Sequence, residues 1–206
     1  GVIIRDTTNL IVSLPKVGKS RLFTQMYGQL VKGSTSFLGQ GLQGRCPKLL
    51  IVGTDQPDDD WSRCLYLAGL LPNDEIHPNI IKLWTMGRPL HLDEDGIEEI
   101  VNECSKNLGS IILLDSYAAC VGPLGLLEKD ASFADPLKDL QEAIAPYKIT
   151  LIVIHHSNRS GVGEGASMSS RGTTALPAAV SQTVNLARMQ KENPLAPKDE
   201  RIKLTT

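Results

Sequence analysis

The chain has 206 residues, a net charge of −2, 41% hydrophobic residues and 21% charged residues. This length favours one α/β domain that can bury a core without disulfides or a structural metal. The charge argues against a strongly basic nucleic-acid-binding surface, although it leaves room for a small basic lining on one face.

The first element is a short buried strand over residues 10–14, and an amphipathic helix follows over residues 21–31. Between them lies the stretch Ser13-Leu14-Pro15-Lys16-Val17-Gly18-Lys19-Ser20. A strand, a tight loop ending in Gly-Lys-Ser and a helix form the layout of a phosphate-binding P-loop. Backbone amides and the helix N-terminus surround the phosphates in such a loop. A relic loop that no longer binds phosphate is the alternative.

Each P-loop residue has a predicted role. Lys19 is expected to bond the β- and γ-phosphate oxygens, and Ser20 is expected to ligate Mg²⁺. Ser13 replaces the usual leading glycine, which costs little if its φ is negative. The predicted nucleotide-binding residues are Pro15, Lys16, Val17, Gly18, Lys19, Ser20 and Arg21.

Residues 32–47 contain several glycines and are predicted to form a loop, with Phe37-Leu38 as a hydrophobic peg. The fully apolar strand 49–52 comes next, as expected where helices cover both faces of a sheet. Asp58-Asp59-Asp60 then begins a helix that runs to about residue 71. We interpret these acidic residues as favourable charges at a helix N-terminus rather than as a metal site.

The remaining elements alternate between strands and helices. We predict strands over 80–84, 111–114 and 149–154, helices over 97–108, 137–147 and 175–180, a loop over 121–134, and two final strands over 182–189 and 201–206. This order predicts an α/β fold with a mostly parallel central sheet, helices on both faces and an antiparallel C-terminal hairpin.

Two carboxylates are predicted to lie at the same edge of this sheet. Asp115 ends an apolar strand, which is the Walker B pattern, and such a carboxylate holds Mg²⁺ through water. Asp55 follows the strand after the P-loop helix, at the edge where ligands bind in open α/β sheets. It could orient or deprotonate the attacking water, and a turn or helix-capping role is the alternative.

His155 and His156 end another strand on the same side. One of them could sense the γ-phosphate through a hydrogen bond. A packing role and a metal role are the alternatives, and the metal role is awkward because neighbouring side chains on a strand point to opposite faces. Residues 157–173 are rich in Ser and Gly and suit contacts to nucleic acid through Asn158, Arg159 and Arg171, with a solvated loop as the alternative.

Together these motifs resemble the RecA-type ATPase core, and most closely the RepA-like group of hexameric helicase ATPases, which is related to the DnaB-type replicative helicases. The resemblance covers nearly the whole chain in the family's order. It is carried by Pro15-Lys16-Val17-Gly18-Lys19-Ser20, Phe37-Leu38-Gly39, Leu50-Ile51-Val52-Gly53-Thr54-Asp55, Ile112-Leu113-Leu114-Asp115-Ser116, Ile152-Val153-Ile154-His155-His156-Ser157 and Arg171-Gly172-Thr173-Thr174-Ala175-Leu176.

The resemblance implies ATP and Mg²⁺ as ligands, ATP hydrolysis between the identical subunits of a hexameric ring, and single-stranded DNA at its centre. Lys19 and Ser20 would be the Walker A pair, and Asp115 the Walker B carboxylate. His156 falls where DnaB-type helicases carry a γ-phosphate-sensing Gln and RepA-like members carry His. A basic finger from the neighbouring subunit is implied as well. Arg201 and Lys203 are candidates, and a position beyond Thr206 is the alternative.

Asp55 departs from the family pattern, which usually has a catalytic Glu at this position. Its reach is shorter by one methylene, so hydrolysis could be slow. We therefore carry two hypotheses: a helicase motor of DNA replication, and an ATP-switched regulatory or recombination-mediator protein of the RecA superfamily. The order of the motifs favours the motor, whereas Asp55 and the net charge favour the switch. A small-molecule kinase is disfavoured because an arginine-rich lid is not evident.

The four cysteines (Cys46, Cys64, Cys104 and Cys120) show no metal-ligand spacing, and we interpret them as reduced thiols of a cytoplasmic protein. The first apolar run is too short for a secretory signal, and no stretch approaches the length of a membrane span. We therefore expect no membrane partner. We expect a single RecA-like ATPase domain over residues 1–206. Because the sequence begins without Met, the alternative that this domain belongs to a longer protein stays open.

Overall fold

The structure, a computed structural model, describes residues 3–42, 44–156, 175–188 and 202–205. The strands in these residues are β1 (Thr8–Ser13), β2 (Ser36–Phe37), β3 (Gln40–Gly41), β4 (Leu49–Gly53), β5 (Ile80–Thr85), β6 (Ile111–Asp115), β7 (Thr150–His156), β8 (Gln182–Arg188) and β9 (Ile202–Thr205). The helices are α1 (Lys19–Val31), α2 (Asp58–Ala68), α3 (Glu94–Lys106), α4 (Tyr117–Val121), α5 (Asp135–Ile144) and α6 (Ala175–Ala178).

The central sheet has the strand order β5-β4-β6-β7-β1-β8-β9. The neighbours from β5 to β8 pair in parallel, and β8 and β9 form an antiparallel edge. This confirms the predicted α/β fold of the RecA-like P-loop type, including its C-terminal hairpin. Because the parallel strands run the same way, the carboxyl ends of β1, β4, β6 and β7 meet at one edge.

The apolar core forms one layer on each face of the sheet. On one face, α1 and α2 contribute large buried side chains such as Tyr27 and Trp61. On the other face, α3, α4 and α5 contribute residues such as Ile100 and Leu140. Helices therefore cover both faces, as the fully apolar strands predict.

Some predicted element boundaries were wrong. Residues 32–47 include the β2–β3 hairpin, whose turn residues Leu38 and Gly39 both have positive φ, as in the I′ turns of tight hairpins. Phe37 and Leu38 both line an apolar cavity of about 580 Å³ between α1, this hairpin and the sheet, although the Leu38 side chain is 72% exposed. Helix α2 ends at Ala68, before residue 71, because Gly69 takes up the left-handed conformation that terminates helices.

All four cysteines are free, and Cys104 and Cys120 are buried. Among the described residues, no helix is both long enough and apolar enough to cross a membrane.

Gly28 sets the distance between the P-loop helix α1 and its neighbour α2. A Cβ atom at this position would overlap the backbone carbonyl oxygen of Ala68. Because that oxygen belongs to the backbone of α2, the two helices would have to move apart. The packing of Gly28 therefore fixes the position of α1, which begins with Lys19 and Ser20.

We expect Gly28→Ala to destabilise the protein by up to about 2 kcal/mol. Overpacking usually costs about 1–3 kcal/mol and here opposes the roughly 1 kcal/mol that alanine gains over glycine inside a helix. Urea unfolding measures the change. Gly41→Ala is the control, since a Cβ there meets no atom within 4 Å and the variant should unfold like the wild type. A stabilised Gly28→Ala variant would contradict the close contact.

Candidate functional site

The P-loop connects the end of β1 to the start of α1. Ser13 pairs with His156 of β7 inside the parallel ladder, so its backbone is extended and replaces glycine without the strain of a positive φ. The turn into the helix is made by Lys16 and Gly18, with φ values of 60° and 98°. Pro15, Lys16 and Gly18 are exposed, and Val17 is buried beneath the loop.

The side chain of Lys19 is buried inside this loop, among neutral hydrogen-bond acceptors. Its Nζ donates to Ser13 Oγ (3.0 Å) and to the carbonyl oxygen of Leu14 (3.2 Å), and it lies 3.3 Å from Nδ1 of His156. Burial lowers the pKa of Lys19 to about 8, although the Asp115 and Asp55 carboxylates oppose this shift. A desolvated amine that donates to neutral oxygens is a good partner for phosphate oxygens.

Ser20 and Asp115 form the second part of the site. Ser20 Oγ donates a short hydrogen bond to Asp115 Oδ2, which joins the start of α1 to the end of β6. The Asp115 side chain is buried, and burial raises its pKa to about 6 while the hydrogen bonds from Ser20 and Gln56 oppose the shift. A buried carboxylate and a hydroxyl are the hard oxygen ligands that Mg²⁺ prefers.

These two oxygens fit a metal that arrives with phosphate. Among the described residues, no group of three or more His, Cys, Asp or Glu side chains could hold a metal ion. Mg²⁺ commonly keeps several waters and binds through one or two protein groups plus phosphate oxygens. Ser20 and Asp115 therefore suit a magnesium–nucleotide complex rather than an all-protein metal centre. Asp58, Asp59 and Asp60 lie in the first turn of α2, where the sequence analysis placed them.

Asp55 follows β4 and lies beside the same edge of the sheet. Its Oδ2 accepts a hydrogen bond of 2.8 Å from Ser116 Oγ, the residue after Asp115. Its Oδ1 is buried and has no hydrogen-bond partner among the described residues. Because a buried carboxylate oxygen without a partner is costly, this atom is suited to accept a hydrogen bond from a water molecule.

The two histidines of β7 lie on opposite faces of the sheet. His156 approaches Lys19, whereas His155 is fully buried and its ring lies 5.9 Å from that of Phe133. This arrangement argues against one metal ion bound by both side chains. The ring of His155 packs against Phe133 in the core. His156 is the member of the pair that the structure brings to the P-loop.

Sequence reasoning missed three side chains of the site. Ser13 Oγ contacts Lys19, Ser116 Oγ contacts Asp55, and Gln56 Nε2 contacts both Ser20 and Asp115. Two of them follow directly on a candidate carboxylate at the end of a strand, and that position was the signal available in the sequence.

Arg21 is exposed on the first turn of α1, and Lys203 lies in the edge strand β9. Asn158, Arg159, Arg171 and Arg201 fall outside the described residues.

The comparison with protein families agrees with this geometry. Residues 1–162 match the family described as an AAA domain. Since this match covers most of the chain, the chain belongs to that family and is a P-loop AAA-type ATPase domain. The matched region includes the P-loop, Asp55, Asp115 and His156. No curated protein matches the chain.

We expect Asp115 to make the nucleotide-free protein more stable in mild acid than at neutral pH. Its pKa is raised from the ordinary value of 3.8 to about 6, so its stabilising contribution is full below pH 3.8 and is lost as the pH rises through 6. The loss between pH 5 and 7 is about 1 kcal/mol.

Denaturant unfolding in EDTA at several pH values measures this effect, and Asp115→Asn is the matched control. The Asn side chain does not titrate, so the free energy of unfolding of the wild type should fall relative to that of the variant as the pH rises. Parallel pH profiles for the two proteins would show that Asp115 titrates normally.

Proposed function

We propose that this AAA-domain protein hydrolyses ATP in a hexameric ring of identical subunits and uses the energy to move along single-stranded DNA as a replicative helicase. The observation that carries the proposal is the convergence of Lys19, Ser20, Asp55, Asp115 and His156 at the carboxyl edge of one parallel sheet. These residues come from the P-loop, the turn after β4, β6 and β7, and each supplies a different group for phosphoryl transfer.

The residues divide the chemistry between them. Lys19 exchanges its contacts with Ser13 and Leu14 for phosphate oxygens, because charge-assisted hydrogen bonds are stronger than neutral ones. Ser20 and Asp115 would hold Mg²⁺, which supplies neutralisation of the phosphate charge. Asp55 accepts a proton or a hydrogen bond from the attacking water at Oδ1, while Ser116 holds its Oδ2 in place.

The position of His156 supports the link from ATP to DNA. Its Nδ1 lies 3.3 Å from Lys19 Nζ, so a phosphate that draws Lys19 away also changes the contacts of His156. Residues 157–173, which include Asn158, Arg159 and Arg171, follow His156 directly in the sequence. A change in the position of His156 when the γ-phosphate binds would therefore act directly on the proposed DNA-binding segment, to which it is covalently joined. Lys203, or Arg201 beside it, is proposed as the finger toward the next subunit.

We expect single-stranded DNA to increase ATP turnover severalfold, and we expect Lys19→Ala to reduce turnover to background. Lys19→Ala removes the one buried amine at the described P-loop, whereas Lys138→Ala removes an exposed lysine on α5 that pairs with Asp135. The control should therefore retain both basal turnover and DNA stimulation. Steady-state phosphate release measures all three proteins. Turnover that is indifferent to DNA would contradict the motor and favour an ATP-switched regulatory or recombination-mediator protein.

We expect Asp55→Asn to retain ATP binding and to lower turnover by about 10²–10⁴-fold, since an amide cannot act as a general base. Asp55→Glu is the matched comparison, because its longer side chain keeps the carboxylate and should stay active. The dissociation constant for a fluorescent ATP analogue and the single-turnover rate are the two measurements. Unchanged turnover in Asp55→Asn would remove Asp55 from the mechanism.

A further inference from the structure

Gln56 lies between the two predicted magnesium ligands. Its Nε2 is 3.1 Å from Ser20 Oγ and 3.2 Å from Asp115 Oδ2. Because the two oxygens lie side by side, one N–H of the amide can be shared between them as a three-centre hydrogen bond. Ser20, Asp115 and Gln56 therefore form a closed triangle of hydrogen bonds at the carboxyl edge of the sheet.

The backbone of Gln56 is held on both sides. Its N–H donates to the carbonyl oxygen of Gly53 at 3.1 Å, and its own carbonyl oxygen accepts from the N–H of Met86 at 2.9 Å. These two hydrogen bonds fix the backbone from which the Gln56 side chain extends toward the P-loop. It is half-buried, so its truncation leaves the two apolar layers of the core intact.

The chemistry of the amide suits this place. Asp115 is buried and has lost most of the water that would solvate its charge, and the amide supplies a donor in place of that water. An arginine or lysine at this position would compete with a metal cation, and a carboxylate would repel Asp115. A neutral donor orients the carboxylate without changing the charge of the site.

We infer that Gln56 is a positioning residue for the divalent cation that accompanies the nucleotide. In the metal-free protein its amide holds Ser20 Oγ and Asp115 Oδ2 side by side, so that both oxygens are in place when the cation arrives with the phosphates. The inference rests on the proposed function, because it assumes that a magnesium–nucleotide complex binds at Lys19, Ser20 and Asp115.

The test separates metal affinity from nucleotide affinity. A fluorescent ADP analogue is titrated into the protein in EDTA, and then at increasing Mg²⁺ concentration, to give the nucleotide affinity with and without metal. In a parallel experiment Mn²⁺ replaces Mg²⁺, and electron paramagnetic resonance measures the bound Mn²⁺. Loss of a residue that orients a metal ligand typically weakens metal affinity by about 10–100-fold. We expect Gln56→Ala to raise the Mg²⁺ and Mn²⁺ concentrations at half-saturation by about tenfold, with nucleotide affinity in EDTA changed by less than about twofold.

Two further variants make the result specific. Gln56→Leu has nearly the volume of glutamine but no donor, so it should match Gln56→Ala if the amide is responsible. Gln141→Ala is the matched control: Gln141 Nε2 also donates twice, to Thr8 Oγ1 and to the carbonyl oxygen of Ala179, but it lies on α5. Its metal dependence should equal that of the wild type, and thermal melts confirm that each variant is folded.

Unchanged metal dependence in both Gln56 variants would overturn the inference. An equal loss of nucleotide affinity with and without metal would overturn it too, because that result describes general damage to the site. A wild-type protein that binds no nucleotide at any Mg²⁺ concentration would instead overturn the proposed function.

Discussion

Ser20 Oγ donates a hydrogen bond to the buried carboxylate of Asp115, and this contact joins the P-loop helix to the end of β6. The two residues can meet because β7 alone separates β6 from β1 in the sheet, and all three strands run in the same direction. The close approach of α1 to α2 at Gly28 holds the first turn of the helix over this edge. The geometry of the site is therefore a direct consequence of strand order and helix packing.

The two buried charges of the site, on Lys19 and Asp115, make their hydrogen bonds to neutral groups and are left to interact with a ligand. Lys19 is held by neutral oxygens of Ser13 and Leu14, and Asp115 is held by the neutral donors of Ser20 and Gln56. Among the described residues, neither of these two charges belongs to a salt bridge. Burial consequently shifts both pKa values toward the neutral forms, down for Lys19 and up for Asp115. A phosphate bound with a divalent cation satisfies both charges at once.

The fold could be predicted, and the candidate site residues could be selected, because both depend on local patterns. Apolar strands that end in Asp115 or His156 and the Gly18-Lys19-Ser20 sequence each carry their own signal. The contacts of Gln56 and Ser116 could not be predicted, because they join residues 36 to 61 positions apart and depend on side-chain direction at the sheet edge. The β2–β3 hairpin was missed because Leu38-Gly39 lacks the usual Asn-Gly turn signal.

The residues at this edge together make one candidate binding site for a nucleotide with its divalent cation. Isothermal titration of the protein with a non-hydrolysable ATP analogue, with Mg²⁺ and then in EDTA, tests it most directly. We expect one nucleotide per chain, bound more tightly with Mg²⁺ than without it, because Ser20 and Asp115 contribute only through the cation. Absence of binding, or binding of equal strength with and without Mg²⁺, would contradict it.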